Sequence, residues 1–128
     1  MKHLFLIGLG GFIGSIARYK LGEWMMPFSS FTKLPFHTFF INSLGCFFIG
    51  FLNAFLEKHN IINGEIRPLL IIGLLGGFTT FSTFGSESFD LFKKSEFFIA
   101  ILYICLTVII GVLSVWIGNK CGGFNFIK

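Results

Sequence analysis

Apolar residues fall in four blocks, at 4–26, 36–56, 69–92 and 97–118, and most of the charge sits at or between their ends. Each block meets the roughly 20 residues a helix needs to cross a hydrocarbon core about 30 Å thick. The pattern predicts four membrane-spanning helices joined by short connections at 27–35, 57–68 and 93–96, with no room for a soluble domain. Residues 1–128 therefore read as one four-helix transmembrane domain. The third block is interrupted: Gly73-Leu74-Leu75-Gly76-Gly77-Phe78-Thr79-Thr80-Phe81-Ser82-Thr83-Phe84 sets paired glycines, hydroxyls and aromatic rings in a segment otherwise apolar enough to span. Lipid offers the backbone no hydrogen-bond partner, so a helix loosened there persists only where protein or a water-filled cavity satisfies the freed groups. That combination points to an ion path.

Composition agrees with the pattern. Residues are 54% hydrophobic and 12% charged, with mean hydropathy +0.83, which excludes a soluble domain of ordinary composition. Lys2, the apolar run after it and Ser15-Ile16-Ala17 have the outline of a cleavable signal peptide, but the glycines of the first block and its continuation to Trp24 read as a retained span. Cys46, Cys105 and Cys121 form no CxxC pair, and His3, His37 and His59 lie near span ends, where an interfacial imidazole is the ordinary reading; no metal site is argued from them. Lys2, Lys58, Arg67, Lys120 and Lys128 fall on one side of the membrane, and Arg18, Lys20, Lys33, Lys93 and Lys94 on the other. Five against five gives no orientation by the positive-inside rule. Two readings stay level: insertion both ways with an antiparallel dimer about an in-plane two-fold axis, or a weak bias set by the charges nearest the membrane. Gly10-xxx-Gly14 and Gly73-xxx-Gly77 suit close helix packing, within the monomer or between copies.

Several polar residues lie at membrane depth. Asn42, one turn after Thr38, is either interhelical glue worth about 1 kcal/mol or an amide donor aimed at an anion. Arg18 reads first as an interfacial cation, with a vestibule charge and a dimer contact as alternatives. Gly76 and Gly77 weaken the third helix, and Thr79, Thr80, Ser82 and Thr83 offer its backbone other partners, predicting a break near Gly77. Carbonyls released there suit a small alkali cation, and the N-terminus of the resumed helix favours an anion. One span supplies only two or three such carbonyls, so a cage needs a second copy. Phe81 and Phe84, at i and i+3, share a helical face with electropositive ring edges, although ordinary packing places phenylalanines the same way. Glu87 follows on that helix, in a pore-side network or an interfacial salt bridge. Tyr103 and Thr107, at i and i+4, put two hydroxyls on one face of the fourth span; bonding to their own helix is the commoner fate of such groups.

Taken together, Gly10-Gly11-x-x-Gly14-x-x-x-Arg18-Tyr19, Thr38-x-x-x-Asn42-x-x-Gly45 and Gly73-x-x-Gly76-Gly77-x-Thr79-Thr80-Phe81-Ser82-Thr83-Phe84-x-x-Glu87 resemble the Fluc family of fluoride channels, also called CrcB proteins, over nearly the whole chain. The third motif is the specific one. The resemblance implies an all-α integral membrane protein of the bacterial plasma (inner) membrane, with four transmembrane helices, a break in the third, and an antiparallel, dual-topology homodimer. It implies two pores passing fluoride and excluding chloride, and no enzymatic activity or nucleic-acid partner. It also implies a structural Na⁺ at the dimer interface, held by the Gly76 and Thr79 carbonyls of both copies. Phe81 and Phe84 would line the fluoride path, with Asn42 as donor, Ser82, Thr83, Tyr103 and Thr107 as a polar track, Arg18 near the vestibule and Glu87 in support. The family's hydroxyl row usually continues along the fourth helix; Gly111 and Val115 occupy the next one-turn steps here, so its far end is not carried over, and Ser114 is at best a weak substitute.

The rival reading is a small multidrug exporter, also four short spans. Proton-coupled exchange there needs a membrane-embedded carboxylate, usually in the first span, and this first span has none before Glu23 at its end. A non-conducting accessory subunit, a third class, leaves the Thr-Thr-Phe-Ser-Thr-Phe run without a purpose.

Overall fold

A computed structural model describes residues 1–29, 31–61 and 64–123; Lys128 of the charge balance lies outside them. Among the described residues the chain is all-helical. The elements are α1, Lys2–Ser29; α2, Phe36–Lys58; α3, made of Pro68–Leu75 wound as π-helix and Gly76–Phe78; α4, Phe81–Lys93; and α5, Phe97–Gly123. Four stretches are long and apolar enough to cross a membrane, α3 and α4 together forming the third, Pro68–Lys93. Helices are the economical answer to lipid because each closes its own backbone hydrogen bonds.

Local chemistry sets their ends. Pro35 precedes α2 and Pro68 opens α3, where a missing N–H breaks no helical bond. Past the end of α2, Asn60 takes a positive φ of 51° and lets the Ile61 N–H reach back to the Leu56 carbonyl at 2.9 Å. Ser95 does the same after α4, at φ 58°, with the Glu96 N–H on the Leu91 carbonyl at 3.0 Å. A Lys33–Glu96 ion pair ties the α1–α2 connection to the start of α5.

The helices pack as two close pairs, α1 on α3 and α2 on α5. A Cβ on Gly10 or Gly14 would enter the Leu69 or Leu74 backbone, and one on Gly77 would sit 2.6 Å from the Gly11 carbonyl. Both sequence-predicted glycine motifs thus face each other within one subunit. Gly50 and Gly118 serve the α2–α5 pair in the same way, against the backbones of Val115 and Phe47. Small residues let helix backbones touch where lipid provides no hydrophobic drive to association. Elsewhere α4 leans on α5 through buried Phe84, Leu91, Ala100 and Tyr103. Only 11–22% of each span's most apolar window is buried inside the monomer, so most of the apolar surface faces outward, as a bilayer requires.

Candidate functional site

Between α3 and α4 two residues are extended: Thr79 (φ −86°, ψ 157°) and Thr80 (φ −147°, ψ 115°). The glycines before them are not extended themselves. Gly76 keeps helical angles (φ −63°, ψ −38°), and Gly77 lacks a side chain because α1 is in the way.

Three neighbours hold the extended pair. Asn42 of α2 reads the Thr80 peptide at both ends: its Nδ2 donates to the Thr80 carbonyl at 3.0 Å, and its Oδ1 accepts from the Thr80 N–H at 2.8 Å. The side-chain amide replaces the helical partners that Thr80 has lost. Arg18 of α1 donates from a guanidinium nitrogen to the Thr79 carbonyl at 3.3 Å. Gly45, one turn along α2 from Asn42, leaves the space that the Thr79 methyl fills; a Cβ there would overlap it. Thr80 then caps α4, its Oγ1 accepting from the Thr83 N–H at 3.2 Å and donating to Thr83 Oγ1 at 2.9 Å, with Ser82 Oγ at 3.3 Å.

This crossover separates two cavities. The first, about 440 Å³, is lined by Asn42, Gly76, Thr79, Phe81, Phe84 and Thr107 among apolar residues of α2, α3 and α5. The second, about 420 Å³, is lined by Arg18, Tyr19, Glu23, His37, Thr38, Thr80 and Thr83. Aromatic rings run inward from the first: Phe81, 84% exposed, meets Phe84 with centroids 5.6 Å apart, and Phe84 meets fully buried Tyr103 at 5.3 Å. Thr107 also lines this cavity, and its Oγ1 is buried without a hydrogen-bond partner among the described residues. A helical threonine ordinarily bonds its own helix; this one does not.

Behind Tyr103 and the second cavity lies a carboxylate network. Glu87 accepts from Thr38 Oγ1 (2.8 Å) and the Tyr103 hydroxyl (2.8 Å), and His37 Nε2 is 3.2 Å from the same oxygen that Thr38 meets. His37 in turn has its Nδ1 3.0 Å from Ser29 Oγ, which also accepts from the His37 N–H at 3.2 Å. Sequence reasoning treated His37 as interfacial and gave Ser29 no role. Their separation from Glu87 along the chain hides the contact, and no local pattern marks it.

The sequence-predicted site residues therefore divide. Asn42, Gly76, Thr79, Phe81, Phe84 and Thr107 share one cavity; Arg18 and Thr83 face the other; Glu87 and Tyr103 meet behind them; Ser82 lies beside the Thr80 cap. Asn42 is occupied as glue at both ends of its amide, with one Nδ2 proton left over. For a hard cation, Gly76 and Thr79 are suitable ligands. The Thr80 N–H that would close a regular helical bond onto the Gly76 carbonyl bonds Asn42 instead, and the Thr79 carbonyl carries only the long contact from Arg18. One subunit offers these two oxygens, fewer than such a cation takes.

Residues 5–119 match the family described as CrcB-like protein, Camphor Resistance (CrcB). The chain is 42% identical over 120 residues to the fluoride-specific ion channel FluC of Oceanobacillus iheyensis, covering 94% of this chain and 91% of that protein. It is 41% identical over 118 residues to the protein of that name from Flavobacterium psychrophilum (92% and 94% covered). For the protein of that name from Chloroflexus aurantiacus the identity is 42% over 122 residues (95% and 96% covered).

Proposed function

Because the chain belongs to the CrcB family, we propose that it is a passive, fluoride-selective channel that lets the anion leave the cytoplasm across the plasma membrane. The relatives carry the name of fluoride-specific ion channels, not of enzymes, and the chain spans more than nine-tenths of those compared. The observation that carries the reading to this chain's own residues is the buried, unpartnered Thr107 hydroxyl beside Phe81, Phe84 and Asn42.

Fluoride is small and strongly hydrated, so a path must return hydrogen bonds as water is lost without trapping the ion. Thr107 has a free hydroxyl proton, Asn42 one free amide proton, and the Phe81 and Phe84 ring edges add weak positive potential. Among the described residues no ammonium or guanidinium lines that cavity. Chloride, larger and a poorer hydrogen-bond acceptor, gains less from the same donors. Arg18 and the second cavity would form a vestibule that raises the local anion concentration.

The functional unit in this reading is an antiparallel, dual-topology homodimer with two pores. Balanced charge on the two faces is compatible with it, and a cavity whose rim carries an 84% exposed Phe81 supports it. Two copies of the Gly76 and Thr79 carbonyls would hold Na⁺ on the two-fold axis, where the ion would supply fixed positive charge between the pores. The third span would work as a broken helix, its extended pair releasing those carbonyls. Passive flow suffices: HF enters from acidic surroundings and dissociates inside, and a negative interior drives the anion out by about 2.3 kcal/mol per 100 mV.

Purified protein in liposomes tests this. Fluoride efflux should be rapid and chloride efflux negligible, and replacing Na⁺ on both sides by a bulky organic cation should lower flux or dimer stability. Equal loss of both anions refutes selectivity, and indifference to thorough cation exchange refutes the carbonyl cage.

A further inference from the structure

Ser29, His37 and Glu87 form a chain of contacts that the conduction path does not require. Glu87 meets three donors, from Thr38, Tyr103 and His37, as suits an acceptor-only carboxylate. Its negative charge lies one hydrogen bond behind Tyr103, whose ring packs on Phe84 of the proposed path. A fixed negative charge there opposes an anion. His37 is the group placed to offset it.

The contacts also assign the imidazole proton. Ser29 Oγ already accepts from the His37 backbone N–H, so its own proton is free to go to Nδ1. Nε2 faces a Glu87 oxygen at 3.2 Å, and a carboxylate only accepts, so the proton of the neutral ring belongs on Nε2 and Nδ1 is left to accept from Ser29. If the ring gains a second proton, Nδ1 becomes a donor, and the Ser29 hydroxyl rotates to accept it with its second lone pair. Charging His37 keeps both ring nitrogens paired and breaks no contact to Glu87.

From this geometry we infer that His37 is a charge-compensating residue for the channel: its protonation neutralises Glu87 across a 3.2 Å contact and raises fluoride conductance under acidic conditions. The inference rests on the fluoride-channel reading. Imidazole is the side chain whose charge ordinarily changes between about pH 5 and 8. With His37 neutral the pair carries one negative charge; with His37 protonated it carries none, and the repulsion felt by an anion near Phe84 and Tyr103 falls. Other charged or titratable groups surround His37. Arg18, Tyr19 and Glu23 of α1 line the same cavity, Glu87 faces it from α4, and Tyr103 of α5 reaches it through Glu87. Glu23 is paired with Lys20, so Glu87 is the carboxylate left to the imidazole. The direction suits the task, since acid surroundings are what load a cell with HF.

The test is initial fluoride efflux from liposomes, equal pH on both sides, from about pH 5.5 to 8, after subtraction of leak through protein-free vesicles. Wild-type flux should rise about three-fold or more toward acid. His37→Gln, which retains a donor but cannot charge, should conduct with a flat profile, whereas Asp90→Asn, at a half-exposed carboxylate paired with Lys93 and lining neither cavity, should keep the wild-type profile. A flat wild type, a His37→Gln profile like wild type, or loss of the response in Asp90→Asn overturns the inference. If no fluoride leaves at any pH, the channel reading fails, and the pairing is then decided by NMR titration of the His37 ring. Glu87→Gln should shift that titration, and an unmoved one overturns the inference.

Discussion

Replacing Asn42 by alanine removes the clamp on the extended Thr80 backbone together with the amide proton left over beside the cavity. Two hydrogen bonds disappear, at 3.0 and 2.8 Å, from a residue that is only 9% exposed. Each bond contributes about 1 kcal/mol net, and a buried peptide group left unpaired costs about 1–3 kcal/mol. The loss should therefore be about 2–4 kcal/mol, well above the roughly 0.6 kcal/mol average for a hydrogen bond between membrane helices. Asn42→Asp separates the two ends of the clamp. An ionised carboxylate still accepts from the Thr80 N–H but turns an acceptor toward the Thr80 carbonyl, so it should not restore stability. The measurement is reversible unfolding in mixed micelles, followed by tryptophan fluorescence. Fluoride efflux measured in parallel should fall, because both the crossover and a donor are lost. Destabilisation by Asn42→Ala below about 0.5 kcal/mol would refute the clamp, and wild-type stability with reduced efflux would make Asn42 an ion donor alone.

Two further substitutions probe the same cavity. Thr107→Val keeps the side-chain shape and removes a hydroxyl that has no protein partner, so stability should change by less than about 1 kcal/mol. A hydrogen bond to an ion is worth about 1.5–3 kcal/mol, so fluoride efflux from liposomes should fall about ten-fold or more; unchanged flux would remove Thr107 from the path. Gly45→Ala drives a Cβ into the Thr79 methyl and should cost about 1–3 kcal/mol as overpacking, read by the same unfolding assay, with Thr79→Ser in the same chain recovering part of it.

Much of the architecture was legible because membrane spans announce themselves by length and apolarity, and the four blocks correspond to helices α1, α2, α3 with α4, and α5. The Thr-Thr-Phe-Ser-Thr-Phe run was legible as unusual for the same reason: polar groups in lipid need partners. What those groups bond to was not. Asn42 had two level readings, and its partner proved to be the backbone of Thr80, 38 residues away. The glycine motifs also left monomer and dimer packing open, because spacing along one helix does not say which other helix approaches. His37 carried no signal, since a histidine near a span end looks the same whether it faces water or a carboxylate.

By itself the sequence determined the four spans and the segment rich in ion-compatible groups, because hydropathy and composition act locally and lipid punishes any unsatisfied stretch. Resemblance in its motifs supplied the family, and fluoride and sodium enter with it as proposals. Only the tertiary structure decided that Gly77 is small to admit α1, that Asn42 and Gly45 of α2 hold and admit the extended threonines, that Thr107 keeps a free hydroxyl, and that Glu87 meets His37. The reason is physical: a polar group buried at membrane depth takes whichever partner the packed helices bring within about 3 Å, and the order of residues along one helix does not contain that distance.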